Sequence, residues 1–333
     1  MTEEYQAMNM SNELPLISVI VTAHDRTNYI ANALNSLVSQ NLSRDKFEVL
    51  VVKNFQIPEI EEKIEKSGYT PIPSPKDSTI GWDLYTGIVQ SKGKILCFLD
   101  DDDIYKPNRL EIILDQFNSY DISYLKNEVY FIDDSGLTIQ KPHRLEITRS
   151  KVIKSKDFRR NISYLNRVKA DFNMSSICVS RKLLTDELLS FLKNRLSIAP
   201  DTFMLCAALS DHYPIMILKE RITGYRLNNS TTKVTQINRD SAEIIIKAWN
   251  RLVNSYKQFL LIFGSTPQIY LNQRILFQKV SESILSLKYD KALDEKVSLI
   301  QLLTFSMRTF NYLLLYDTLR LFLARIFLRS RNT

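Results

Sequence analysis

Lys94-Ile-Leu-Cys-Phe-Leu-Asp-Asp-Asp-Asp103 is the stretch on which the reading of this chain turns. The uncharged run Ile95 to Leu99 follows Gly93 and is rich in β-formers, so it reads as a buried strand. It ends in four consecutive carboxylates, Asp100, Asp101, Asp102 and Asp103, which repel one another unless a cation shares them. Pro107 fits the first turn of a following helix, in which Leu110, Ile113, Leu114 and Phe117 recur at helical spacing. The acids therefore belong at a strand-to-helix corner on the carboxyl edge of a sheet, where open α/β sheets bind ligands. Hard oxygen ligands of this kind suit Mg²⁺ or Mn²⁺ carrying a substrate phosphate. The EF-hand spacing is missing, and a solvated acidic turn would not need an apolar strand beneath it.

Working outward, Leu16 to Thr22 reads as a first buried strand with the polar corner Ala23-His24-Asp25-Arg26 at its end. A helix follows with Tyr29, Ile30, Ala33, Leu34, Leu37 and Val38 on one face, and Phe47 to Val52 is a second strand ending at Lys53-Asn54. This βαβ order predicts a parallel sheet with right-handed crossovers. Residues 55–80 hold Pro58, Pro71, Pro73 and Pro75 and read as a surface connection, with a helix expected at Gly81 to Gln90. Beyond the acids, two short strands are expected at Asp121–Leu125 and Glu128–Ile132, with Asp133-Asp134-Ser-Gly136 as a turn. Residues 141–170 are basic and weakly periodic, and no element is assigned to them. A strand at Ser176–Val179, a helix at Leu183–Leu192, an apolar helix opened by Pro200-Asp201-Thr202 and a strand at Pro214–Leu218 complete this part.

From about residue 242 the pattern is helical throughout. The net charge of +7 sits there: residues 242–333 carry 13 Lys+Arg against 6 Asp+Glu, and the rest of the chain balances. Residues 309–331 combine Phe310, Tyr312, Tyr316, Phe322 and many leucines with Arg320, Arg325, Arg329 and Arg331, and Asp317 and the arginines leave no stretch long enough to span a bilayer. This fits a basic amphipathic helix in the membrane interface, against a helical bundle or dimer interface burying the same face. The expected division is a flexible leader at 1–13, a catalytic α/β domain at 14–240 and a basic helical extension at 241–333. Cys97, Cys178 and Cys206 lack metal-ligand spacing and read as buried residues in a reducing compartment. Neither GxGxxG nor GxxxxGK[ST] occurs, so any phosphate must be held by a metal and basic side chains.

Ser18-Val-Ile-Val-Thr-Ala-His-Asp-Arg26, Phe47 to Asn54 and Gly93 to Asp103 together resemble the family 2 glycosyltransferases of GT-A fold. Asp201-Thr-Phe-Met-Leu, Ile215-Met-Ile-Leu and Tyr225-Arg226 resemble the acceptor half of that family, and the resemblance covers about residues 16–232. It implies an α/β fold with a Rossmann-like, mostly parallel sheet flanked by helices, here with a C-terminal helical extension. It also implies that Asp100 and Asp102 match the family's DXD pair, with Asp102 the preferred ligand of Mg²⁺ or Mn²⁺. A ribose hydroxyl falls to Asp101 or Asp100, and Thr22 and His24 match positions lining the nucleobase and ribose. The second strand of the family commonly ends in Asp-Asp, whereas Lys53-Asn54 stands here, so Asn54 is the expected base contact. Leu84-Tyr85 replaces a common Arg-Asn pair, which leaves Lys76 or Arg26 as the phosphate contact. Asp201 matches the family's catalytic base, although an Asp before an apolar helix also caps helices.

The implied activity is inverting, metal-dependent sugar transfer from a UDP- or GDP-linked donor to a glycan or lipid-linked acceptor, at the cytoplasmic face of a membrane. Polyprenyl-phosphate sugar synthesis is the variant that needs no base; a sugar nucleotidyltransferase or a non-catalytic membrane scaffold are the readings from other classes. Nucleic acid is not an expected partner, and homo-oligomerisation stays open. Of the remaining polar residues, His143 and His212 read as surface groups and Asp133 and Asp134 as turn formers. Trp82 and Trp249 read as packed, and Arg226 as either a phosphate contact or an ion pair.

Overall fold

A computed structural model describes residues 14–140, 147–227 and 238–289, with positions 298, 316, 319 and 321–323 beyond them. The leader at 1–13, His143 and most of the stretch at 309–331 lie outside the described residues.

The amino-terminal half alternates strand and helix as its apolar runs demand: β1 (Ile17–Ala23), α1 (Ile30–Val38), β2 (Phe47–Lys53), α2 (Pro58–Lys66), β3 (Thr70–Pro73), α3 (Ile80–Gln90) and β4 (Ile95–Asp100). There follow β5 (Ile104–Tyr105), α4 (Arg109–Ser119), β6 (Tyr124–Ile132), β7 (Thr138–Ile139), β8 (Lys151–Ile153), α5 (Phe158–Arg167) and β9 (Ile177–Ser180). The last elements are α6 (Asp186–Arg195), α7 (Pro200–Ser210), β10 (Ile215–Arg226), α8 (Arg239–Ile262) and α9 (Ser265–Tyr289). The strands form one mixed sheet in the order β3-β2-β1-β4-β9-β6-β10-β5, with β7 on β6 and β8 on β10. β3, β2, β1 and β4 run parallel, as do β6 and β10, while β9 is antiparallel to both its neighbours. The chain builds outward from β1 to β3 and then returns to place β4 on the other side of β1. The switch point therefore lies between the carboxyl ends of β1 and β4, where Thr22 is the register partner of Asp100.

Period-two alternation sends neighbouring strand residues to opposite sides of the sheet. Val19, Val21, Cys97 and Leu99 face α1 and α4 in one core layer, whereas Ile20, Leu96 and Phe98 face the layer that holds α3, α5, α6 and α7. α7 is apolar on every side, with Phe203 to Leu209 all buried, so it must be covered on both flanks. α8 and α9 supply that cover. Phe203 stacks on Phe191 at 5.5 Å and meets Phe259 and Phe263 edge-on at 5.6 and 5.4 Å. Val253, Tyr256, Tyr270, Leu271 and Ile275 belong to the same core layer as the sheet, so the first two helices of the basic extension pack as part of the α/β unit.

The two short strands expected at Asp121–Leu125 and Glu128–Ile132 are a single nine-residue strand, β6. Lys126, Asn127 and Glu128 interrupt its apolar pattern, yet they are buried, Asn127 meeting Thr223 and Arg109, and Lys126 facing Glu128. The strand expected at Pro214–Leu218 runs on to Arg226 through register shifts after Leu218. Its continuation is held by β6 and β5 and not by local apolarity. The segment left unassigned at 141–170 contains β8 and α5, and the three cysteines are free and buried. Among the described residues no helix is long and apolar enough to cross a membrane. In the described part of 309–331, Leu321 packs against Val280 while Tyr316, Leu319, Phe322 and Leu323 are exposed.

Gly93 sets the approach of β4 to β1. Its N–H donates to Ser18 Oγ at 2.7 Å, and a Cβ there would stand 2.5 Å from the Ser18 backbone nitrogen and 2.6 Å from the Ile17 carbonyl carbon. Gly93→Ala is expected to lower stability by about 1–3 kcal/mol in chemical denaturation, because backbone cannot yield as a side-chain tip does. An unchanged midpoint would contradict this close contact.

Candidate active site

The ends of β1, β2 and β4 carry the residues that sequence reading singled out. Thr22 is buried beside Asp100. Asn54, just past β2, accepts from the Asp25 backbone N–H at 2.9 Å and donates its amide to Asp25 Oδ1 at 2.8 Å. Asp25 takes the left-handed backbone at φ 56, which an Asp side chain tolerates through such local bonds. His24 stands between Asp25 at 3.5 Å and Asp83 at 3.7 Å, with Ser78 Oγ at 3.4 Å from its Nδ1. Asp83 is buried on α3 and accepts from Ser74 and Ser78. It lies one residue before Leu84-Tyr85, the pair that departs from the family pattern, and Leu84 itself is core. Lys53 turns away to Glu61 and the Phe55 carbonyl. Lys76 is exposed and meets none of these groups among the described residues.

The four acids divide the work among them. Asp103 is structural: it accepts from Asn173 Nδ2 at 2.6 Å and from the Arg226 backbone N–H at 3.0 Å. Arg226 is only 1% exposed. Its guanidinium donates to the carbonyls of Asp102, Asp133 and Asp134 and lies over the Tyr29 ring at 4.3 Å, which pins the acidic loop to the β6–β7 turn. Asp133 and Asp134 are turn residues, with Asp133 Oδ1 accepting from Ser135 and Leu137. Arg26 reaches the loop from the end of β1, its Nη1 2.7 Å from Asp102 Oδ2 and its Nη2 on Asp101.

The Arg26 pairs do not offset the crowding of acids. Burial, followed by the Asp103, Asp102 and Asp101 charges, pushes the Asp100 carboxyl well up. Burial raises Asp101 to about 7 against the pull of Arg26, and burial with Asp102 raises Asp103 to about 6. Asp101 Oδ2 is buried without a hydrogen-bond partner. A divalent cation would relieve the repulsion, so this set of hard oxygen donors fits Mg²⁺ or Mn²⁺. Among the described residues no three His, Cys, Asp or Glu side chains gather into a metal cage. The remaining ligands of such an ion would have to come from substrate phosphate and water, as Mg²⁺ sites commonly arrange.

Asp100 and Arg26 open onto a cavity of about 570 Å³ that Asp201 also lines, with Lys169, Asp171, Phe172, Tyr225 and Arg274 among its other walls. Asp201 lies in the first turn of α7, after Pro200 at the first helical position. The cap position belongs to Ala199, whose φ of 59 makes it one of four positive-φ non-glycine residues among those described. Asp201 Oδ1 accepts from the Thr202 N–H at 2.8 Å, so the capping expectation holds only as a first-turn contact and the side chain still faces the cavity. Burial and the neighbouring Asp171 charge raise its carboxyl to about 7, despite the Thr202 and Asn173 N–H groups and Arg274. A carboxylate poised there suits proton transfer near neutrality.

Sequence reading missed Asp83, Asp171, Asn173 and Arg274. Asp171 and Asn173 follow a segment without clear periodicity, and Arg274 left one trace, a charge set beside the buried Tyr270 and Leu271 on α9.

The model of the family described as Glycosyl transferase family 2 matches residues 18–188, just over half of the chain. The protein belongs to glycosyl transferase family 2. Among its relatives is an uncharacterized glycosyltransferase of Methanocaldococcus jannaschii, 26% identical over 235 residues, which cover 68% of this chain and 75% of that protein. Another, from Nostoc sp., is 26% identical over 38% of this chain and 40% of its own length. The fold resembles TarS of S. aureus, with a TM-score of 0.54 at 14% identity over 82% of this chain and 47% of TarS. It also resembles the mannosyltransferase PcManGT of Pyrobaculum calidifontis, solved with GDP-Man and Mn²⁺, with a TM-score of 0.54 at 14% identity over 94% and 87% of the two chains. A shorter form of TarS with UDP-GlcNAc gives a TM-score of 0.51 at 15% identity over 81% of both chains. These structures share the fold of this family 2 member.

Arg226→Met removes the donors that hold the acidic loop to its neighbouring turn, and is expected to lower stability by about 3 kcal/mol. Denaturant unfolding measures it, and a loss below about 1 kcal/mol would show that the loop is held elsewhere.

Proposed function

We propose that this family 2 member is an inverting, metal-dependent glycosyltransferase using a UDP- or GDP-linked sugar. The observation that carries the reading is that one cavity is lined by both Asp100, from the acidic loop, and Asp201, whose carboxyl is raised to about 7. In this reading Thr22, His24 and Asn54 receive the nucleoside, with Asp101 or Asp100 on a ribose hydroxyl. Arg26 shifts from the loop onto the diphosphate, or Lys76 comes to it from the preceding connection. Bound at Asp100 and Asp102, Mg²⁺ or Mn²⁺ would stabilise the charge that builds on the departing diphosphate. Asp201 accepts the proton of the acceptor hydroxyl as its oxygen bonds to the sugar C1, and the bond from C1 to the diphosphate breaks on the opposite face. The configuration at C1 inverts.

The acceptor class we propose is a glycan or lipid-linked sugar at the cytoplasmic membrane surface. Support for it is compositional: the apolar and arginine-rich stretch at 309–331 suits an interface between water and lipid. Vesicle cofloatation of the full chain against a chain ending at residue 308 tests this, and equal cofloatation would remove the surface from the proposal.

Asp102→Asn is expected to lose Mn²⁺-dependent binding of nucleoside diphosphate in calorimetry, and binding that survives would move the metal elsewhere. Asp201→Asn should keep that binding and lose transfer by more than about 100-fold. Transfer that persists in Asp201→Asn would point to an acceptor already anionic, as in polyprenyl-phosphate sugar synthesis. Because the base must be ionised, kcat should fall as pH drops below a midpoint near 7. A rate unchanged down to pH about 5 would exclude Asp201 as the proton acceptor.

A further inference from the structure

A second acid faces the same cavity. Asp171, in the connection from α5 to β9, is 3% exposed, and its Oδ2 accepts from Thr202 Oγ1 at 2.8 Å and lies 3.4 Å from Arg274 Nε. Thr202 is also the residue whose backbone N–H serves Asp201 Oδ1. One residue thus touches both carboxylates, with its main chain on one and its hydroxyl on the other. Arg274 comes from α9, beyond the region that the family model matches. It is driven inward because Tyr270, Leu271 and Ile275 on the same helix are buried in the core, and Gln273 beside it accepts from Asn166 of α5 at 2.6 Å. Tyr256 of α8 closes the group, its hydroxyl 3.5 Å from both Thr202 Oγ1 and Arg274 Nη2.

We propose that Asp171 and Arg274 are positioning residues for Asp201, and that α8 and α9 thereby complete the catalytic centre. The proposal rests on the reading of Asp201 as the proton acceptor. Burying a carboxylate beside Asp201 without a partner would be costly, and Arg274 is the cation that makes the arrangement tolerable. The pair is not neutral in its effect on Asp201. Asp171 disfavours the ionised form and Arg274 favours it, with the first the stronger. The other groups around Asp201 are the N–H groups of Thr202 and Asn173 and the hydroxyls of Tyr124, Tyr225 and Tyr256. Asp100, Arg26 and Lys169 share the cavity wall. Asp171 is the full charge joined to Asp201 through Thr202, and Arg274 is linked to the group through Asp171. A buried acid that keeps its neighbour protonated until near neutrality, and a cation that limits the rise, together place the base where proton transfer is efficient.

The test needs no substrate. In full-length protein carrying ¹³Cγ-labelled aspartate, the Asp201 carboxyl signal is assigned by its loss in Asp201→Asn and titrated by NMR. The wild-type midpoint is expected near 7. Asp171→Asn should lower it by about one pH unit or more, and Arg274→Gln should raise it, with Arg274→Lys returning it toward wild type. Shifts of the same sign in both variants, or none, would overturn the proposal, since a merely structural role predicts no opposed pair. Should either single variant fail to fold, Asp171→Asn combined with Arg274→Gln leaves no unpaired charge buried. Its midpoint should fall below wild type, and an unchanged midpoint would overturn the proposal. The outcome separates from that of the proposed activity: opposed shifts alongside a fully active Asp201→Asn would retire Asp201 as base and leave the electrostatic frame standing. An inactive Asp201→Asn with no shifts would do the reverse.

Discussion

The structure depends on the crowding of negative charge at the end of β4. Four carboxylates leave one buried strand, and Arg26 forms ion pairs with two of them, Asp101 and Asp102. Much of the surrounding architecture exists to hold that crowd in place. Asp103 is satisfied by Asn173 and the Arg226 backbone, Asp100 is tied to Ser175 through its N–H, and the Arg226 guanidinium takes the carbonyl of Asp102. The loop is therefore preorganised while part of its charge is left without compensation. A divalent cation bound there would offset that charge.

The second constraint is α7, which has no polar face. Burying it requires α6 and the sheet on one flank and α8 and α9 on the other, joined by a contiguous aromatic cluster of Phe191, Phe203, Phe259 and Phe263. Because Asp201 sits in the first turn of this helix, the packing that stabilises α7 also fixes where the carboxylate points. Helices that look like an appendage in sequence are thus mechanically coupled to the wall of the cavity that carries Asp201. The same coupling explains how Arg274 reaches a residue more than 70 positions earlier.

Local chemistry was readable wherever a segment is dominated by one signal. The apolar runs of β1, β2 and β4 are buried on both faces and read as strands because nothing in them competes with that pattern. The acidic corner was readable because four adjacent carboxylates have few physical explanations. Reading failed where polar residues are buried among tertiary partners. Lys126, Asn127 and Glu128 split β6 into two apparent strands, although Thr223 and Arg109 meet Asn127 inside the fold and Lys126 faces Glu128 along the strand. For Arg226 the structure adds a role that sequence did not offer, donation to carbonyls of the acidic loop and of the β6–β7 turn, since a guanidinium is a fork of donors whose targets need not be anions.

By itself, then, the sequence determined the parallel βαβ order, the placement of an acidic loop at the carboxyl edge of the sheet and the candidacy of Asp201, because periodicity and adjacent like charges act over a few residues. Only the tertiary structure decided that Arg26 closes on that loop, that Asn54 is bound to Asp25, and that Asp171 and Arg274 meet beside Asp201. Those pairings join segments tens of residues apart through the burial of apolar surface around them. Burial also sets the proton affinity of the acids, and it is a property of the whole packed chain that no window of sequence contains.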